Sequence, residues 1–304
     1  MKLILPLLIV CFITATPVFG QQACVGNSCL PDKVKDDCTI MESNGCIDWD
    51  NGIIYATGMG VPNPKFETQA QKTYSAYQAA KTVAMRNLLQ MVQGINITST
   101  RTVKAGMLED DTINTQISGK IRQVQEAGRP QTMNDGSVWV TMKMFMRDII
   151  SILVNNQKFA FKSGDMFKRP SPEPSQEEAK KDTGPEYGGD ANTVYTGVII
   201  DARGTGVVPA MSPKIYGPDG KEVYGSIAVE REFALQHGVV GYVKELDEAK
   251  GNERVQGNPL LIKAKLSSDK TSDLVVSEQD AKLLNQLDAT QSFLREARVV
   301  VIIG

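Results

Sequence analysis

The chain has 304 residues, more than one domain usually needs, and 41% of them are hydrophobic, which suffices for two ordinary cores. The formal net charge is only -2. A nucleic-acid groove or a patch for anionic membranes would concentrate lysine and arginine, so this charge balance argues against both.

A short apolar run near the N-terminus predicts a secretory signal peptide over residues 1–20. Lys2 precedes an apolar stretch at residues 3–13 that is too short for a comfortable membrane span. The alternative is a retained N-terminal anchor. Lipidation at Cys11 or Cys24 fits the usual pattern poorly, because the residues before each depart from it. We therefore expect a periplasmic protein without an integral membrane segment once the leader is cleaved.

Four further cysteines favour disulfide bonds in a stapled N-terminal extension at residues 21–50. An even number of cysteines in an exported protein is typical of disulfides, and four of them allow three connectivities. The cysteines are separated by four, eight and seven residues, whereas zinc sites favour Cys-x-x-Cys pairs, so metal is the weaker alternative. The candidates are Cys24, Cys29, Cys38 and Cys46.

A strand, one long helix and a second strand open the first predicted domain, at residues 51–162. Residues 53–57 are β-branched and aromatic-rich, and residues 95–100 alternate as a half-buried strand does. Residues 66–94 contain no proline and no glycine before Gly94, which favours one helix ending there. Its apolar side chains recur at spacings of three and four and share one face: Ala76, Tyr77, Ala80, Val83, Ala84, Leu88 and Met91.

A short helix follows, with isoleucines at Ile113, Ile117 and Ile121. The acidic residues 109–111 lie just before it, at the positive end of the helix dipole. No histidine or second acidic cluster accompanies them. Dipole complementarity is therefore preferred to a metal site.

Two strands and a last helix complete the predicted first domain. Residues 122–127 and 138–146 predict strands joined by a turn at 134–137, and residues 149–154 predict a helix. The strand at 138–146 carries methionines at alternate positions, which are more typical of an adaptable core than of a metal surface: Met142, Met144 and Met146. The expected fold is α+β, with the long helix packed on a small sheet.

Residues 163–192 predict a linker between two domains. Four prolines and mixed charges leave this stretch unable to pair as a strand or to bury an apolar face. A tether of this kind would not fix the orientation of the two domains. We therefore expect two separate folding units that present two surfaces.

Residues 193–304 predict a second, strand-rich α/β domain. It opens with a strand at residues 193–200 and ends with a strand at 298–304, so apolar that a central position is expected. The Gly204-Thr205-Gly206 turn after the first strand is a weak candidate for a phosphate loop. Val207-Val208-Pro209 follows where a helix should begin, so we do not assign it that role.

No catalytic constellation is recognisable, so we predict a protein that is not an enzyme and assign no catalytic, cofactor-binding or metal-binding residue. His237 is the one histidine, and no nucleophile motif accompanies it. Asp201 and Arg203, at the end of a predicted strand, are the candidate cleft pair, with a surface salt bridge as the ordinary alternative. The rival hypothesis is a periplasmic ligand-binding protein or hydrolase that uses this domain.

Residues 51–154 resemble a bacterial envelope family. The similarity lies in Ala56-Thr57-Gly58-Met59-Gly60, in the helix at 77–89, in 92–97 and in 135–138. These stretches are similar to the Lpp-type twenty-kilodalton lipoproteins and to the N-terminal domain of flagellar assembly protein T. The resemblance implies a non-catalytic cell-envelope domain whose flagellar members support a periplasmic ring around the rotor shaft. The implied partners are envelope or flagellar basal-body proteins, or further copies of the chain.

Overall fold

The computed structural model describes residues 30–42, 44–158 and 187–304, which form an α+β fold as predicted. Four sequence predictions lie outside these residues: the signal peptide, Cys24, Cys29 and most of the linker, at 163–186. No helix in the described ranges is long and apolar enough to cross a membrane.

The first half builds an antiparallel sheet with helices against it. In chain order its elements are α1 (Asp32–Asp37), β1 (Ile40–Glu42), β2 (Gly45–Asp48), β3 (Ile53–Gly60), α2 (Gln69–Gly94), β4 (Asn96–Thr98), β5 (Arg101–Thr102), α3 (Val103–Glu109), α4 (Asp111–Ile121), β6 (Gln125–Glu126), β7 (Gln131–Thr132), β8 (Val138–Phe145) and α5 (Met146–Asn155). The sheet runs β1-β2-β3-β8, and β6 and β7 both pair with β8.

The helix α2 lies on this sheet through small residues. Thr68 and Gln71 form a capping box, which begins the helix three residues after the predicted start. Gly58 and Gly60 on β3 face the helix, and a Cβ added to Gly58 would lie 2.2 Å from the backbone nitrogen of Ala84. The backbones therefore approach closely, which only glycine permits. The predicted stripe is confirmed at its buried core, which consists of Ala76, Ala80, Ala84 and Leu88.

The strand β2 pairs with β3 in this sheet, so the last part of the predicted extension at residues 21–50 is integral to the first domain. Ile47 and Trp49 are both buried. A disulfide joins Cys38, just after α1, to Cys46 in β2, which confirms the prediction of a disulfide bond for one pair. The staple therefore fixes α1 to the main sheet.

The three methionines predicted to fill the core are buried, but the strand that carries them ends earlier than predicted. Met142 and Met144 on β8 are buried among the apolar residues beneath α2. Met146 is also buried, but the strand ends at Phe145 and Met146 begins α5. Its backbone N–H donates to the carbonyl of Gly52 at 2.7 Å, which marks the turn into the helix.

The second half builds a seven-stranded mixed sheet with a parallel centre. Its elements are β9 (Gly197–Asp201), β10 (Ile215–Tyr216), β11 (Glu222–Tyr224), a 3-10 turn (Ser226–Ala228), α6 (Arg231–His237), β12 (Gly241–Val243), α7 (Leu246–Gly251), β13 (Pro259–Leu266), β14 (Leu274–Val276), α8 (Glu278–Thr290) and β15 (Val299–Ile302). The strand order is β11-β10-β14-β13-β9-β15-β12. The last strand, β15, has β9 and β12 on its two sides, so it is interior as its apolar sequence predicts.

The two halves pack against each other, which makes the prediction of freely oriented domains wrong. Asn96 bridges to Ala210, and the backbone N–H of Met211 donates to the carbonyl of Asn96 at 2.8 Å. The rings of Trp49 and Tyr242 meet edge to face, with centroids 5.2 Å apart. One cluster of buried apolar residues continues from the first half into the second. The linker sequence could not reveal this, because the contacts join segments far apart in the chain.

Candidate functional site

The predicted pair Asp201 and Arg203 lies at the carboxyl end of the parallel strands of the second sheet. Asp201 is the last residue of β9, and its register partner on the neighbouring parallel strand β13 is Lys263. On the other side of β9, Asp201 is in register with Ile302 of β15. In open α/β sheets this edge is where ligands generally bind.

The Asp201 carboxylate is fully engaged by its neighbours. Arg203 donates from Nε to Oδ1 at 2.9 Å and from Nη2 to Oδ2 at 2.7 Å, and its backbone N–H also donates to Oδ1 at 3.2 Å. The hydroxyl of Tyr187 donates to Oδ2 at 2.6 Å. The bidentate fork is the strongest geometry for an arginine–carboxylate pair. The carboxylate therefore anchors Arg203 and Tyr187.

The electrostatics follow from these hydrogen bonds. Donation by Arg203 holds the pKa of Asp201 far below its usual value, although burial acts in the opposite direction. The same bond raises the pKa of Arg203. Donation to Asp201 raises the pKa of Tyr187. Asp201 is thus a permanent anion with both oxygens occupied, which is a poor arrangement for a general base.

An apolar groove in the first half is a second candidate site. It has a cavity volume of about 450 Å³ and lies between α2 and the hairpin of β7 and β8. Tyr74 and Tyr77 line it from the helix, and Pro130, Thr132 and Val138 line it from the hairpin. Tyr74 is 64% exposed, although it is a large aromatic residue. A concave apolar site with exposed aromatic side chains is typical of a binding surface.

The groove has a polar rim and borders a sheet edge. The hydroxyl of Tyr77 donates to Glu126, which raises the pKa of Tyr77, and Lys81 pairs with Glu126 at 3.5 Å. Among the described residues, β7 pairs with β8 alone. An unpaired strand edge can accept the backbone of another chain.

The remaining candidates are structural or outside the described residues. Asp110 caps α4 by accepting from the N–H groups of Thr112 and Ile113, which agrees with the dipole interpretation of the acidic triplet. His237 ends α6, and burial is the main cause that lowers its pKa. No group of three histidine, cysteine or carboxylate side chains within the described ranges is placed to hold a metal ion.

Comparison with known families matches part of the second half. Residues 197–304 resemble the second domain of Treponema pallidum Tp0624. The match begins at the first residue of β9, runs through β15 and contains Asp201, Arg203 and Lys263. A comparison with curated proteins yields no significant match.

Sequence reasoning missed three side chains of these sites. Tyr187, which precedes the part that resembles the Tp0624 domain, fell within the predicted linker, and Lys263 fell within an apolar strand. Lys263 interrupts a run of buried residues on β13, which is a signal that could have found it. Tyr74 lies on α2 outside the predicted apolar stripe, and an aromatic residue in that position could have been recognised as exposed.

Proposed function

We propose that this is an exported, non-enzymatic protein of the bacterial envelope that acts by binding partner proteins, and that the groove beside Tyr74 is its main contact. The observation that carries the proposal is this apolar groove, with two tyrosines on one wall and, among the described residues, an unpaired strand edge beside the other. Such a surface favours an extended segment of another protein, because backbone pairing at β7 would place an apolar side chain in the groove.

Two further features support a binding role. The disulfide between Cys38 and Cys46 is of the kind that oxidising compartments such as the periplasm maintain. The interface between the halves, with Trp49 against Tyr242, would present the groove and the second sheet at a fixed relative position. A fixed arrangement of surfaces suits a protein that brings others together.

The contact can be tested by placing a photo-crosslinking residue at position 74 or at position 108 in living cells. Leu108 is 78% exposed on α3 of the same half, so it is a matched control for an exposed apolar residue. We expect position 74 to give one discrete crosslinked protein and position 108 to give none. Tyr74→Ser, combined with a crosslinker at position 70 in the same groove, should abolish the product, whereas Leu108→Ser should not. Equal crosslinking from both positions would refute the groove as the contact.

The flagellar version of the proposal rests on the resemblance of residues 51–154 to the flagellar assembly domain. It places the partner in the basal body. We expect a deletion strain to lose motility and to assemble incomplete basal bodies, both restored by the intact gene and not by the Tyr74→Ser variant. Normal motility with intact basal bodies in the deletion strain would overturn this version while leaving the general envelope role to the crosslinking test.

A further inference from the structure

A second site is present at the carboxyl edge of the other sheet, around Arg203 and Lys263. Arg203 carries five N–H donors on its guanidinium group, and two of them go to Asp201. Among the described residues, no carboxylate other than that of Asp201 lies within ion-pair distance of this guanidinium. The side chain is 37% exposed, so part of its donor edge reaches solvent.

Lys263 supplies a second positive charge beside the same tyrosine. Its ammonium lies 4.3 Å from the centroid of the Tyr187 ring, while the hydroxyl of that ring donates to Asp201. Lys263 is exposed and makes no ion pair with the carboxylates in the described ranges. The cluster thus contains two cations and a single carboxylate that is already engaged. Among the described side chains the two cations therefore outnumber the carboxylates, and the backbone of Gly304 packs against the stem of Arg203.

The arginine is held in place before any ligand arrives. Two hydrogen bonds from its guanidinium, and a third from its own backbone N–H, fix it to the buried end of β9. An arginine whose orientation is fixed loses little side-chain entropy when it binds a planar anion. Ordinary surface salt bridges lack this feature, because both partners remain mobile.

We propose that the free edge of Arg203 and the ammonium of Lys263 bind a small carboxylate-bearing molecule, with Asp201 and Tyr187 as positioning residues. A carboxylate matches the planar donor edge of arginine in a bidentate manner. Lys263, on the other side of Tyr187, takes a second oxygen or a second carboxylate of the same molecule. The site lies in the half that resembles the Tp0624 domain and is separate from the tyrosine groove, so the two proposals can fail independently.

The test is a calorimetric titration of the purified protein with succinate and with citrate. Phosphate at equal ionic strength is the competing anion. We expect saturable binding of at least one carboxylate. Lys263→Ala should weaken it at least ten-fold. Lys265→Ala is the matched control, because Lys265 is an exposed lysine two residues further along the same strand, and it should leave the affinity within two-fold.

Two further variants separate positioning from general charge. Arg203→Lys keeps the charge and loses the fork, so it should weaken binding at least ten-fold while circular dichroism confirms the fold. Tyr187→Phe removes one hydrogen bond to Asp201 and keeps the ring beneath Lys263, so a smaller loss is expected. The proposal is overturned if no carboxylate binds saturably, if Lys263→Ala and Lys265→Ala weaken binding equally, or if phosphate binds as tightly as the carboxylates.

Discussion

The two halves of the molecule bury their sheets in opposite ways. In the first half, α2 meets β3 through glycine and alanine, and the contact leaves no room for an added atom. In the second half, the parallel strands bury branched residues such as Ile200 and Val301, which fill the space between the layers. The first contact is therefore sensitive to enlargement and the second to truncation. Amino-acid size, more than hydrophobicity, distinguishes the two cores.

The largest loss of stability is expected at the contact between the two cores. This contact determines whether the two halves unfold together as one cooperative unit or separately. Trp49→Ala should lower the free energy of unfolding by about 4 kcal/mol, since it removes a buried ring that packs on Tyr242. Urea unfolding can be followed by tryptophan fluorescence and by circular dichroism. Trp139 reports on the first half, Trp49 of the wild type reports on the contact between the halves, and circular dichroism reports on both halves. In the wild type the two signals should coincide, and in Trp49→Ala they should separate. Separate transitions already in the wild type would show that the interface does not couple the halves.

Truncation in the second core should have the next largest effect. Ile200→Ala leaves a cavity among fully buried neighbours on β9 and should lower the free energy of unfolding by about 3 kcal/mol. Ile200→Val, which removes one methylene group, should cost about 1 kcal/mol. The midpoint of urea unfolding gives both values if the slope is unchanged. A loss below 1 kcal/mol for Ile200→Ala would mean that this core collapses around the cavity.

A larger side chain in the first core should cause the third largest loss of stability. Gly58→Ala places a methyl group against the backbone of α2 and should lower the free energy of unfolding by about 2 kcal/mol. Gly119→Ala is the control, because Gly119 lies within α4 and a Cβ there meets nothing within 4 Å. That substitution should instead stabilise the protein by up to about 1 kcal/mol through helix propensity. If both substitutions shift the urea midpoint in the same direction, the sensitivity to size is not specific to the contact between β3 and α2.

The smallest effect is expected at the edge of the second sheet and depends on pH. The pKa of Asp201 is lowered in the folded protein, so its ionised form stabilises the fold above the unfolded pKa of about 4. That contribution is lost as pH falls through the lower folded pKa. Asp201→Asn should therefore cost about 1 kcal/mol at pH 7, a modest value because Arg203 is partly exposed. Below pH 4 the variant should lose stability less steeply than the wild type, as thermal unfolding across that range can measure. Parallel curves would contradict this assignment.

Local patterns in the sequence predict most of the elements and little of their assembly. The alanine stripe on α2 and the apolar run of β15 each repeat a period that a single element determines, so their burial can be predicted. The strand β2 lies within residues 21–50, which the sequence predicts as an extension outside the domain, because the pairing of β2 with β3 leaves no local pattern.

The candidate site was predicted only in part, for a related reason. Asp201 and Arg203 are two residues apart, so their pairing is a local matter that the sequence can suggest. Tyr187 and Lys263 reach the same cluster from other segments, and nothing periodic connects them to it. The contact between Ser99 and Asp273 joins residues 174 apart, and such long-range pairs leave no trace in a single sequence.

The long separation of these partners in the chain also affects how the protein folds as it is synthesised. The hydroxyl of Ser99 donates to the buried Asp273, and the ammonium of Lys244 donates to the carbonyl of Cys38, 206 residues earlier. The chain is synthesised from its N-terminus, so the first half is complete before its covering surface exists. During that delay the nascent chain exposes the apolar face that includes Trp49. This face stays uncovered until the second half has been added.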